Sequence, residues 1–102
     1  MNRIIIKGTT PTIVYTFDTV DVSTITAAYL TIKKGSDVVL ERDLSTASVG
    51  EKTLSWTLTQ AESLSVTASA RIMCNWLLQD GTRGASEEME VLFAENHKNE
   101  VI

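Results

Sequence analysis

What the chain lacks narrows its chemistry first. It has one cysteine, Cys74, so no disulfide forms within it. A disulfide scaffold is excluded, and the sequence reads as one built for a reducing compartment. It has one histidine, His97, set in a polar stretch. A zinc site wants about four nitrogen or sulfur ligands, which one Cys and one His cannot supply. Nucleophilic catalysis needs a base within hydrogen-bond reach of the nucleophile, and Cys74 reads as a small residue on an inward strand face. The five glycines form neither G-x-G-x-x-G nor G-x-x-x-x-G-K. No apolar run approaches the roughly 20 residues of a membrane helix. Met1-Asn2-Arg3 leads into only three isoleucines, too short for a secretory signal. No Asn-x-Ser/Thr acceptor occurs. These absences predict a non-enzymatic protein without cofactor or metal, made and kept in a cytoplasm or assembled there into something larger.

Cationic density is also missing. Nine Lys and Arg stand against 13 Asp and Glu, a net charge of −4, and no basic run exceeds Lys33-Lys34. Neutralising a phosphate backbone needs a concentrated basic footprint, so nucleic acid is not an expected partner, nor is a membrane.

What is abundant points to strands. Thr, Ile and Val supply 14, 8 and 9 of the 102 residues. Their branched side chains are stiff and pack well on a pleated surface. Period-two alternation follows. Ile13, Tyr15 and Phe17 share a face, as do Ala28, Leu30 and Ile32 with Tyr29, Thr31 and Lys33 opposite. Leu54, Trp56 and Leu58 point one way; Ile72, Cys74, Trp76 and Leu78 point one way with Met73 and Leu77 opposite; Met89, Val91 and Phe93 point inward.

Punctuation fits the same scheme. Lys34-Gly35-Ser36-Asp37 closes a hairpin over 25–43, and Asp80-Gly81 closes a second. Pro11, without a ladder donor, belongs at an edge or a strand start. Leu44 to Gly50 reads as a polar loop, and Gly84 with Ser86-Glu87 as a bulge. Thr59-Gln60-Ala61-Glu62 is a capping-box pattern. It predicts a short helical turn that carries the chain between sheets.

The expected fold is an all-β antiparallel sandwich, immunoglobulin-like or similar, of six to seven strands with one helical turn near 59–64. One domain is expected over 1–94, followed by a polar tail over 95–102. Trp56 and Trp76 are expected to dominate the core. Asp18 and Asp21 read as turn acids, and Glu87, Glu88 and Glu90 as charges on an outer or edge strand. The candidate interface is Tyr29, Met73 and Leu77, apolar side chains on outward faces.

Several segments carry a family resemblance. They are Ile6-Lys7-Gly8-Thr9-Thr10-Pro11-Thr12, Leu58-Thr59-Gln60-Ala61-Glu62-Ser63-Leu64, Asp80-Gly81-Thr82 through Ala85-Ser86, and Glu100-Val101-Ile102. Together they resemble small β-sandwich proteins of tailed bacteriophages and prophages of Gram-positive gut bacteria. The first segment is also similar to the N-terminal domain of phage baseplate upper proteins. Met73 and Asn75 depart from the Gln and Arg that such proteins tend to carry there. The resemblance implies a structural or assembly protein of a tail or baseplate, either in the host cytoplasm or in the virion. It would pack against itself, as a homo-oligomer, or against a larger phage structural protein. The alternative is a small carbohydrate- or ligand-binding sandwich.

Overall fold

The computed structural model describes residues 3–102. In chain order the strands are β1 (Arg3–Ile6), β2 (Thr12–Thr16), β3 (Ile25–Lys34), β4 (Asp37–Asp43), β5 (Ser48–Val49), β6 (Thr53–Thr57), β7 (Ala68–Leu78), β8 (Arg83–Ala85) and β9 (Met89–Ala94). The helix α1 spans Gln60–Ser65, and single 3-10 turns occupy Val22–Thr24 and Leu44–Thr46.

Two sheets result. The larger has the order β1-β9-β7-β3-β4, with β8 beside β7; the smaller is β2-β6-β5. All neighbours run antiparallel except β1, which lies parallel to β9. Lettering β2 to β7 as B, C, C′, D, E and F, and β8–β9 as G, gives a B-E-D sheet opposite a G-F-C-C′ sheet. That is an immunoglobulin-like arrangement.

The strand count exceeds the expected six to seven for two local reasons. The polar stretch 44–50 is not a plain loop but holds a 3-10 turn and the two-residue β5, which pairs with Leu54 and Ser55. The last hairpin arm is broken. Between Asn75↔Ala85 and Ile72↔Met89 the returning arm advances one residue more than β7 does. That extra residue is the bulge expected near Ser86-Glu87, and it splits the arm into β8 and β9. Ser86 bridges the break: its amide donates to the Cys74 carbonyl at 2.8 Å, and its hydroxyl accepts from the Cys74 amide at 2.9 Å.

Alternation fixes the core. Leu30, Ile32, Ile72, Cys74, Val91 and Phe93 from the large sheet meet Ile13, Leu54 and Trp56 from the small one, all buried. Trp56 is sealed, and its indole N–H donates to the Asp43 carbonyl at 2.9 Å. Tyr15 meets it edge-on, with ring centroids 6.4 Å apart.

One core expectation needs correction. Trp76 is only partly buried. It sits near the end of β7, beside the hairpin turn, where the sandwich opens. There it packs edge-to-face on Phe17 at 4.9 Å and lies against Gly84.

The link between sheets is capped as the sequence predicts. The Thr59 hydroxyl accepts from the Glu62 amide at 3.1 Å, and the Glu62 carboxylate accepts from the Thr59 amide at 2.8 Å. That same carboxylate oxygen receives Arg42 Nη1 at 2.8 Å, and Arg42 also reaches the Thr57 carbonyl at 3.2 Å. Both side chains are largely sheltered. Such a charge-assisted bond is stronger than a neutral one, so β4, β6 and α1 are braced at one point.

Residues 95–102 carry no regular structure, yet their backbone is tethered. Asn96 Nδ2 donates to the Lys7 carbonyl at 2.9 Å, and the Ile102 amide to Gln60 Oε1 at 2.7 Å. The Val101 and Ile102 side chains stay exposed rather than docking.

Candidate interaction face

Cys74 and His97 form no pair. Cys74 is buried in the inner face of β7, whereas His97 is exposed beyond β9. Burial pushes the Cys74 thiol up to about 11, which removes the thiolate needed for attack. Among the described residues no group of three or more His, Cys, Asp or Glu is placed to hold a metal.

The remaining acids have local duties. Asp21 accepts from the Ser23 hydroxyl at 2.7 Å and its amide at 3.0 Å. Those bonds lower its carboxyl below the usual range. Asp80 accepts from the Thr82 amide at 2.9 Å inside the hairpin turn, which lowers its carboxyl likewise. Glu88 pairs with Arg71 at 3.7 Å.

The Tyr15 hydroxyl is the one enclosed side-chain polar atom without a hydrogen-bond partner among the described residues. Burial pushes it up to about 12, and the nearby Ser86 hydroxyl opposes that shift without reaching bonding geometry. It points into the packed layer, so it offers a ligand no access.

The outer surfaces of the two sheets differ in character. On the small sheet the outward positions are mostly hydroxyl-bearing, Thr12, Thr16, Thr53, Ser55 and Thr57, with Val14 the one exposed large apolar side chain of β2 and β6. Thr and Ser tolerate water, so most of that face needs no cover. On the large sheet the outward positions include Ile4, Ile6, Tyr29, Val38, Leu77 and Leu92. These are six of the eleven exposed large apolar side chains among the described residues. They form two groups rather than one patch: Ile4, Ile6 and Leu92 along β1 and β9, and Tyr29 with Leu77 on β3 and β7, with Lys33, Arg71 and Glu90 between them.

Register places the three predicted interface residues on this face. Tyr29 stands opposite Asn75, Met73 opposite Thr31, and Leu77 opposite Ala27. Tyr29 is 46% exposed and Leu77 39%. Met73 is only half-buried, at the level where the β8–β9 break begins. Ala27, Tyr29, Asn75, Leu77 and Arg83 line a shallow cleft of about 310 Å³. Arg83 Nη2 donates to Asn75 Oδ1 at 3.2 Å within it. A second cleft of about 410 Å³ lies further along the strands, between Lys33, Arg71, Glu88 and Glu90.

Sequence reasoning missed Ile4, Ile6, Leu92 and Val38 as members of the face. For the first three the signal was present as alternation. Their exposure together required knowing that β1 joins β9 at the sheet edge, a contact between residues nearly 90 positions apart. Val38 required the bulge in β4 between Ile32↔Leu40 and Lys33↔Val38.

No protein-family model matches the chain, and comparison with curated proteins finds no match.

Proposed function

We propose that the protein is a non-enzymatic structural or assembly module that works by packing the outer face of its large sheet against another protein. The observation that carries this reading is the asymmetry of the two outer faces: hydroxyl-lined on the small sheet, apolar around Tyr29 and Leu77 on the large one. Burying such side chains is worth roughly 25 cal/mol per Å² of apolar surface removed from water. The resemblance to phage and prophage sandwich proteins supplies the setting, a tail or baseplate under assembly in a bacterial cytoplasm.

The test follows the protein through particle assembly. In a host producing the cognate particle, the chain should sediment with particle fractions. Tyr29→Glu and Leu77→Glu variants, folded by circular dichroism, should remain at the top of the gradient. Variants that enter particles as readily as the parent would sink the reading.

One observation favours a second reading, a carbohydrate-binding module. Tyr29 presents an exposed ring beside Asn75 and Arg83, and sugar sites combine aromatic platforms with nearby polar groups. Millimolar glycan binding by the monomer, abolished by Tyr29→Ala, would support it over packing.

A further inference from the structure

The large-sheet face is self-complementary about its own middle strand. The registers of β3, β7, β8 and β9 lay its outward side chains in rows across β7. One row reads Tyr29, Asn75, Ala85, and another reads Lys33, Arg71, Glu90. In the first, a large ring on one side of β7 answers a methyl on the other. In the second, a cation answers an anion.

A two-fold axis in the plane of the face and along β7 exchanges the two sides. It sets Tyr29 of one copy over Ala85 of the other and Lys33 against Glu90. Met73 and Leu77, carried by β7 itself, meet their own counterparts on the axis. Arg71 also lies there, with its charge already answered by its own Glu88 at 3.7 Å. Neither Lys33 nor Glu90 has an ion-pair partner among the described residues.

We infer that this face docks a second copy of the chain in a closed two-fold dimer, an inference that rests on the packing reading above. Isologous interfaces require the same patch to fit itself, and the rows meet that requirement in both size and charge. Over residues 71–77 of β7 the face is four strands wide, because β1 lies beyond that stretch, opposite the part of β9 that pairs with residues 68–70. It spans roughly 23 Å by 19 Å at ordinary strand rise and spacing. Two such faces bury about 870 Å², in the range of weak, transient association. The dimer is accordingly weak, dissociating in the micromolar range or above.

The experiment is sedimentation equilibrium on the full chain and two charge reversals, Lys33→Glu and Glu90→Lys. The wild-type chain of 11.2 kDa should approach twice that mass with rising concentration. Each reversal alone places like charges against each other at both ends of the row and should weaken self-association at least about tenfold. An equimolar mixture of the two should restore the dimer, because each copy then carries what the other lacks. Leu77→Asp should remain monomeric in every mixture.

A wild-type chain that stays at 11.2 kDa up to about 1 mM overturns the dimer. So does a mixture that associates no better than either reversal alone. If the chain is monomeric yet Tyr29→Glu still keeps it out of particles, the face docks on a different partner; self-pairing fails and the packing reading stands.

Discussion

Replacing Trp56 by Ala separates the two indoles that the sequence makes look equivalent. Trp56 is the largest side chain sealed from solvent; it meets Tyr15 in its own sheet and the Asp43 carbonyl, at the end of β4, in the other. Truncating a buried Trp to Ala costs about 3–5 kcal/mol, from lost transfer energy and the cavity left behind. The lost hydrogen bond adds little. The Asp43 carbonyl also accepts from Thr46 Oγ1 at 3.2 Å, so it is not orphaned. Trp76 is partly exposed and holds its place through Phe17 and Gly84. With a smaller share of its area removed from water, Trp76→Ala should cost about 1.5–2.5 kcal/mol. Urea unfolding followed by far-ultraviolet circular dichroism measures both, provided the slopes agree. The two variants should differ by about 2 kcal/mol, near 8–16 °C in Tm for a domain of this size. Equal costs, or a larger cost at Trp76, would refute the assignment of the core to Trp56.

Gly84→Ala should destabilise by about 1–3 kcal/mol, because a Cβ there would stand 2.5 Å from Cε2 and Nε1 of the Trp76 ring. The same substitution in a Trp76→Ala background should cost much less, and denaturant melts of the double-mutant cycle read that difference. Alkaline pH should also unfold the protein cooperatively. Cys74 and Tyr15 have ordinary values of 9.0 and 10.0, raised in the fold by burial to about 11 and about 12. Below pH 9 both groups are protonated in either state, and their effect on stability is level. Above it the unfolded chain releases protons that the folded chain retains, so stability falls from about pH 9 through the folded values. Melting temperatures across pH 8–12 should decline in that window, less so for Tyr15→Phe. A flat profile in the parent would show that neither group is enclosed. Cys74 should react with a thiol reagent at neutral pH only after denaturant is added.

Alternation and punctuation were legible residue by residue. The faces of β2, β3, β6, β7 and β9, both hairpin turns, the capping box and the bulge before β9 all follow from side-chain period, glycine and local polar pairing. Such features depend on neighbours a few positions apart, and a strand's period of two states which side chains must share a layer. Tyr29 and Leu77 were therefore assigned outward without knowledge of the sheet. The failures were of another kind. Trp76 continues the inward row of Ile72 and Cys74, yet it stays partly exposed near the end of β7, where it packs on Phe17 and Gly84 at the margin of the core.

The sequence by itself determined most of the strands and the inward faces of β2, β3, β6 and β9, because each is written in local pattern. Only the tertiary structure decided which strands outside the two hairpins are neighbours. It brought β1 alongside β9 and set Lys33, Arg71 and Glu90 in one row. Those pairings join segments far apart in the chain, and nothing in the local period of either strand specifies its partner. The face they form, and whatever it packs against, exists only once the sheet is assembled.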